Sequence, residues 1–217
     1  DKINYLILII VTCLIYLTRP TSIPFILSLI LFISILKTRF SYKPKLILLV
    51  IFVFLISTPF IFTLFYYLMN NYLVNSPQAF FLIDMVKSGM IIFDRPDTWS
   101  DPPNTFIDVV YIYFLRILFF FNPYVKSFSD IHIILNLIQS VYILLSIFLW
   151  SLLSINFKIF NKIVFLVLLI SFITAAFHAF TLIDYDWRYR FPIIMPLLII
   201  FPISFEIFLR KICNKDF

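Results

Sequence analysis

Residues 46–69 read LILLVIFVFLISTPFIFTLFYYLM. The run carries no charge and is long enough to cross a bilayer, which takes about 20 helical residues. Five further runs of the same character lie at about 3–18, 22–36, 133–153, 163–183 and 191–209. The first two are short and read as a tight hairpin around Arg19-Pro20-Thr21-Ser22. The composition agrees: the chain is 63% hydrophobic and 13% charged, with a mean hydropathy of +1.06. A soluble domain of 217 residues has too little interior to hide that much apolar surface. The fold class expected is all-α: a polytopic transmembrane helix bundle of about six spans plus an outer interfacial helix. One transmembrane domain covers 1–217, and within it 70–132 forms an outer loop and interfacial region.

Loop charge sets the expected orientation. Lys37, Arg39, Lys43 and Lys45 lie between the second and third runs, Lys158 and Lys162 between the fourth and fifth, and Arg210, Lys211 and Lys215 after the sixth. Placing these on the cytoplasmic side gives the inner face ten basic and three acidic residues, and the outer face seven and eight. That asymmetry is the positive-inside pattern, with the C-terminus cytoplasmic. The third run then leaves the membrane and the fourth re-enters it, so 106–121 cannot span. This apolar segment, which carries Asp108 and Arg116, reads as a helix in the outer interface, with a re-entrant helix as the second reading. Residues 78–93 read as a short amphipathic helix and 96–103 as an irregular, proline-rich loop. The basic residues flank spans, so the net charge of +6 points to topology and not to nucleic acid.

With a single glycine, Gly89, the chain lacks the small-residue GxxxG packing motif, so bulky packing or lipid-filled gaps are expected. Cys13 and Cys213 fall at different depths and have no metal-ligand company. No metal is expected: the Asp94, Asp97 and Asp101 spacing fits a solvated loop better than an ion site. The chain begins at Asp1 and passes straight into an apolar run without a visible signal peptide, and it reads as the C-terminal fragment of a longer protein.

The chemistry-bearing groups collect on the outer side. Asp184-Tyr185-Asp186-Trp187-Arg188-Tyr189-Arg190-Phe191-Pro192 packs two arginines between two apolar runs, against a helix start. Helix starts offer free N–H groups and partial positive charge, so a phosphate fits there, and arginine's planar fork takes phosphate oxygens in pairs. Arg19, ahead of Pro20, marks a second basic helix entrance. The alternative is that Asp184 and Asp186 neutralise the arginines and the knot is a topogenic anchor. Tyr189, Asp186, Asp184, His178, Lys87 and Arg95 are candidate lining residues. His178 sits about one turn below the outer end of the fifth run, where it is either functional or a packing histidine. Ser129 or Asp130 is expected to cap the fourth run beside His132.

The order of features resembles the C-terminal half of GT-C membrane glycosyltransferases of the protein O-mannosyltransferase-like and aminoarabinose-transferase-like kinds. The matching pieces are Leu17-Thr18-Arg19-Pro20-Thr21, Asn122-Pro123-Tyr124 after an interfacial helix, and Arg188-Tyr189-Arg190-Phe191-Pro192 followed by Pro196. The resemblance implies a bacterial inner-membrane enzyme that moves a sugar from a polyprenyl-phosphate carrier to an acceptor glycan, lipid or protein on the outer face. It also implies that Arg188 and Arg190, with Arg19 as a weaker match, contact the lipid phosphate. The family's catalytic aspartate lies in the first outer loop and has no counterpart here, so it would sit upstream of Asp1. The alternative function is a non-catalytic lipid-binding or scaffold subunit of envelope polysaccharide assembly. A transporter is a weaker fit, because mid-membrane positions are nearly all apolar.

Overall fold

The structure, a computed structural model, describes residues 23–36, 43–73, 76–93, 95–124, 129–153, 158–181 and 187–212. Among them are seven α-helices and no strand: α1 Ile23–Leu36, α2 Pro44–Tyr72, α3 Pro77–Lys87, α4 Phe106–Phe120, α5 Asp130–Leu153, α6 Lys158–Thr181 and α7 Trp187–Ile212. A 3-10 turn, Pro96–Thr98, lies between α3 and α4. Three helices are long and apolar enough to cross a membrane, and α1 and α7 add shorter apolar stretches. This is the make-up of an integral membrane protein.

Several hydroxyls inside the apolar helices donate to a carbonyl one turn back, as an apolar solvent favours. In α1, Ser28 Oγ donates to the Pro24 carbonyl at 2.6 Å. In α2, Thr58 Oγ1 donates to Phe54 O (2.6 Å) and Thr63 Oγ1 to Pro59 O (2.8 Å), on either side of the buried Pro59, which lies inside the continuous helix and supplies no N–H to it. Pro24 and Pro44 sit in first turns, where a missing N–H costs nothing.

α6 is the central helix. Of its most apolar window, 56% is buried, against 17% for α2 and 11% for α5, whose outward leucines, isoleucines and phenylalanines are left for lipid. α6 touches α1, α2, α4 and α7, while α5 lies along α7. At one end of the bundle Ile47, Trp150, Phe160, Phe165 and Leu197 form a cluster, and Trp150 Nε1 donates to Asn161 Oδ1 at 2.9 Å across α5 and α6. At the other end, called here the loop end, Ile112, Ile117 and Phe120 of α4 pack on Phe172, Ala175, Ala176 and Ala179 of α6.

That second cluster corrects the packing expectation. Ser171, Thr174, Ala175 and Ala179 form a buried small-residue stripe on α6, so close approach is achieved without glycine. The apolar runs at 22–36, 46–69, 133–153, 163–183 and 191–209 otherwise match helices, with two shifts, and the run at 3–18 lies outside the described residues. α3 stops at Lys87, well short of residue 93, and α7 starts at Trp187, a turn before the expected entrance, so Pro192 lies inside the helix.

Candidate functional site

The loop end is built from α3, the segment 88–105 and α4, laid against the ends of α2 and α6. α3 starts on Ser76, whose hydroxyl accepts from the Ala79 N–H, with Pro77 next. It ends in a Schellman turn: Met90 N–H donates to Met85 O and Gly89 N–H to Val86 O. The turn needs a left-handed residue, and Gly89 has φ +71°. A Cβ there would collide with the Ser100 carbonyl, which crosses directly over it while Ser100 N–H donates to Gly89 O. This explains why the one glycine stands where it does, and why the helix stops short of 93. Thr98 Oγ1 donates to Arg95 O and accepts from Ile92 N–H, and Trp99 Nε1 donates to Ile92 O at 3.1 Å. Ile91 and Ile92, fully buried, pin this segment into the bundle.

α4 opens with a capping box. Thr105 Oγ1 accepts from Asp108 N–H, and Asp108 Oδ2 accepts from the N–H groups of Asn104 and Thr105. Those bonds hold the Asp108 carboxyl below its usual range. The buried stripe of α4 is Val109, Ile112, Tyr113, Arg116, Ile117 and Phe120. Tyr113 meets Phe62 of α2 and Phe180 of α6, and burial pushes its phenol up to about 12, although the nearby Arg116 charge acts the other way.

Arg116 is the group at this end that sequence reasoning misplaced. Its place in an outer interfacial segment implies a cation at headgroup level, yet it is only 1% exposed. Its Nε and Nη2 donate to Met90 O at 2.8 and 2.7 Å, Nη2 also to Met85 O at 3.2 Å, and Nη1 to Ala179 O at 3.4 Å. Its guanidinium lies 5.2 Å from the Tyr113 ring centre. Met85 and Ala179 belong to the last turns of α3 and α6, where the helix dipole is negative. Arg116 therefore serves as the cation for two helix C-termini at once. A charge inside a short apolar helix was the available signal.

His178, one residue before Ala179, is buried with its ring 5.1 Å from Phe120. Thr174, one turn further in, has a buried hydroxyl without a hydrogen-bond partner. Lys87 is exposed at the end of α3, and Arg95 is half-buried before the 3-10 turn. Arg188, Tyr189 and Arg190 fall in the first turn of α7. Arg19, Asp184 and Asp186 lie outside the described residues. The structure thus brings His178 and Arg116 to the same end of α6, and Lys87 and Arg95 to the segment above it. Ser129 precedes α5 as expected, but its hydroxyl shares a 2.7 Å hydrogen bond with His132 Nδ1. Among the described residues no three His, Cys, Asp or Glu side chains converge.

Fold and site together define a helical integral membrane protein with α3, the segment 88–105 and α4 laid over one end. No protein-family model, no curated protein and no solved structure matches the chain.

Proposed function

We propose that the chain is the C-terminal part of a GT-C-type glycosyltransferase of a bacterial inner membrane. It would transfer a sugar from a polyprenyl-phosphate carrier to an acceptor on the outer face. In this reading the bundle has about six spans, α4 lies in the outer interface, and the C-terminus is cytoplasmic.

One observation carries the reading. α7 begins at Trp187, so Arg188 and Arg190 occupy the first turn of a 26-residue helix that leads into an apolar stretch. Arg188 falls among the N–H groups that have no intrahelical partner and Arg190 directly after them, and two cations there suit a phosphate monoester or diester. Six chain steps separate Thr181 from Trp187, which keeps this turn within roughly 22 Å of the clamped end of α6. A sugar leaving a phosphate places negative charge on the departing oxygens, and fixed guanidinium groups stabilise it; losing one such donor costs about 2–4 kcal/mol in a transition state.

The test uses the full-length protein in nanodiscs with undecaprenyl phosphate as probe. Arg188→Ala and Arg190→Ala should each weaken binding by about 10- to 100-fold, as expected for a lost charge-assisted hydrogen bond, while insertion is unchanged. Wild-type binding by both variants rejects the reading. Tight binding without sugar transfer by the full-length wild type would move it to a non-catalytic lipid-binding subunit.

A further inference from the structure

We propose that α3 and the turn after it form a membrane-surface anchor: Phe80, Phe81 and Phe93 enter the headgroup–acyl boundary of the leaflet at the loop end, with Lys87 at the level of the lipid phosphates. This rests on the transmembrane character of α2 and α6 and is independent of sugar transfer.

Chain connectivity sets the depth. α3 begins at Pro77, five residues after α2 ends at Tyr72, so it lies at the level where α2 leaves the bilayer. Its inner face, Ala79, Ile83 and Val86, packs on Tyr66 and Met69 of α2 and on Val109 and Tyr113 of α4. The opposite face presents Phe80, Phe81, Asp84 and Lys87, all exposed. The rings occupy the first half of that face and the charges the second. After the Gly89 turn the chain doubles back, and Phe93, itself exposed, comes within 6.4 Å of Phe81, ring centre to ring centre. Nearby, Trp99 is 37% exposed while its Nε1–H is bound to a carbonyl, an arrangement that suits a boundary with one wet and one apolar side.

Three phenyl rings on the outward face of an eleven-residue helix and its turn are costly in water and favourable in an interface. The occupant is fixed by continuity. The exposed Phe65, Leu68 and Tyr72 share one face of the last turns of α2, the helix that ends five residues before α3 begins, and carry an apolar surface up to that point of the chain. Lys87 supplies the complementary charge for phosphate headgroups.

The experiment places single cysteines at Phe80, Phe81, Phe93 and Asp97 in the full chain carrying Cys13→Ser and Cys213→Ser. A nitroxide is attached, and the protein is reconstituted in phosphatidylethanolamine–phosphatidylglycerol vesicles. All four sites are exposed, so none opens the core. Collision with oxygen relative to a water-soluble nickel chelate should be severalfold higher at 80, 81 and 93 than at 97. Equal, water-like ratios at all four overturn the anchor. So does an immobilised label at 81 and 93 shielded from both reagents, which would mark a protein partner or a second copy on this face.

Discussion

Arg116 shows how one side chain can fix an arrangement that three separate segments could not reach alone. Removing it leaves the carbonyls of Met90 and Ala179 buried without the guanidinium that binds them. Each stranded buried acceptor costs about 1–3 kcal/mol. Arg116→Ala should therefore lower the thermal unfolding midpoint and open the 88–105 segment to protease, while α2 and α6 stay inserted. Arg116→Lys should recover only part of the loss, because an ammonium cannot reproduce a planar fork spanning three carbonyls. Unchanged protease resistance in Arg116→Ala would show that the clamp holds nothing. The sequence displayed this residue, as a charge inside Phe106–Phe120, yet its partners were invisible because all are backbone oxygens on other segments. Side-chain patterns cannot announce such partners. Gly89 was likewise plain in the sequence as the single glycine, while the reason for it, a carbonyl crossing over its Cα, exists only in three dimensions.

At the scale of elements, apolar runs and helices coincide well because the bilayer forces helix formation wherever the chain is apolar for long enough. Which helix sits at the centre was not legible, since all the runs are similarly hydrophobic. The distinguishing feature is side-chain size: α6 carries Ser171, Thr174, Ala175, Ala176 and Ala179 on buried positions. Small side chains bring α4 close, and that in turn seats Arg116 on Ala179. Ala175→Leu inserts bulk into a fully buried contact and should cost about 1–3 kcal/mol, read as a lowered unfolding midpoint in detergent. Leu144→Ala on α5, at a site 66% exposed, should be nearly silent. Equal effects would mean that α6 is not the packing centre. The start of α7 was misjudged by a turn for a related reason. Pro192 looks like a first-turn proline, but the first turn is tolerant of charge and the helix extends back to Trp187.

For the whole molecule the governing comparison is helix length against bilayer thickness. α2 runs from Pro44 to Tyr72, roughly 43 Å at 1.5 Å per residue, against a hydrocarbon core of about 30 Å. A helix of that length that crosses the bilayer has its two ends in different aqueous compartments, here with Lys45 exposed at one and the α3 segment at the other. The proposed orientation rests on charge: lysines and arginines crowd the connection before α2, and acidic residues are frequent in the segment after it. A cysteine at Asp97, exposed and outside every helix core, should react with a membrane-impermeant maleimide in intact spheroplasts. One at Lys45 should react only after permeabilisation. The reverse pattern would turn the molecule over and place Arg188 and Arg190 on the cytoplasmic side, where an acceptor of the outer surface could never meet a lipid-linked sugar. Reaction at both sites in intact cells would deny that α2 crosses at all, and the central position of α6 would then need a soluble explanation that the exposed leucines and phenylalanines of α2 and α5 argue against.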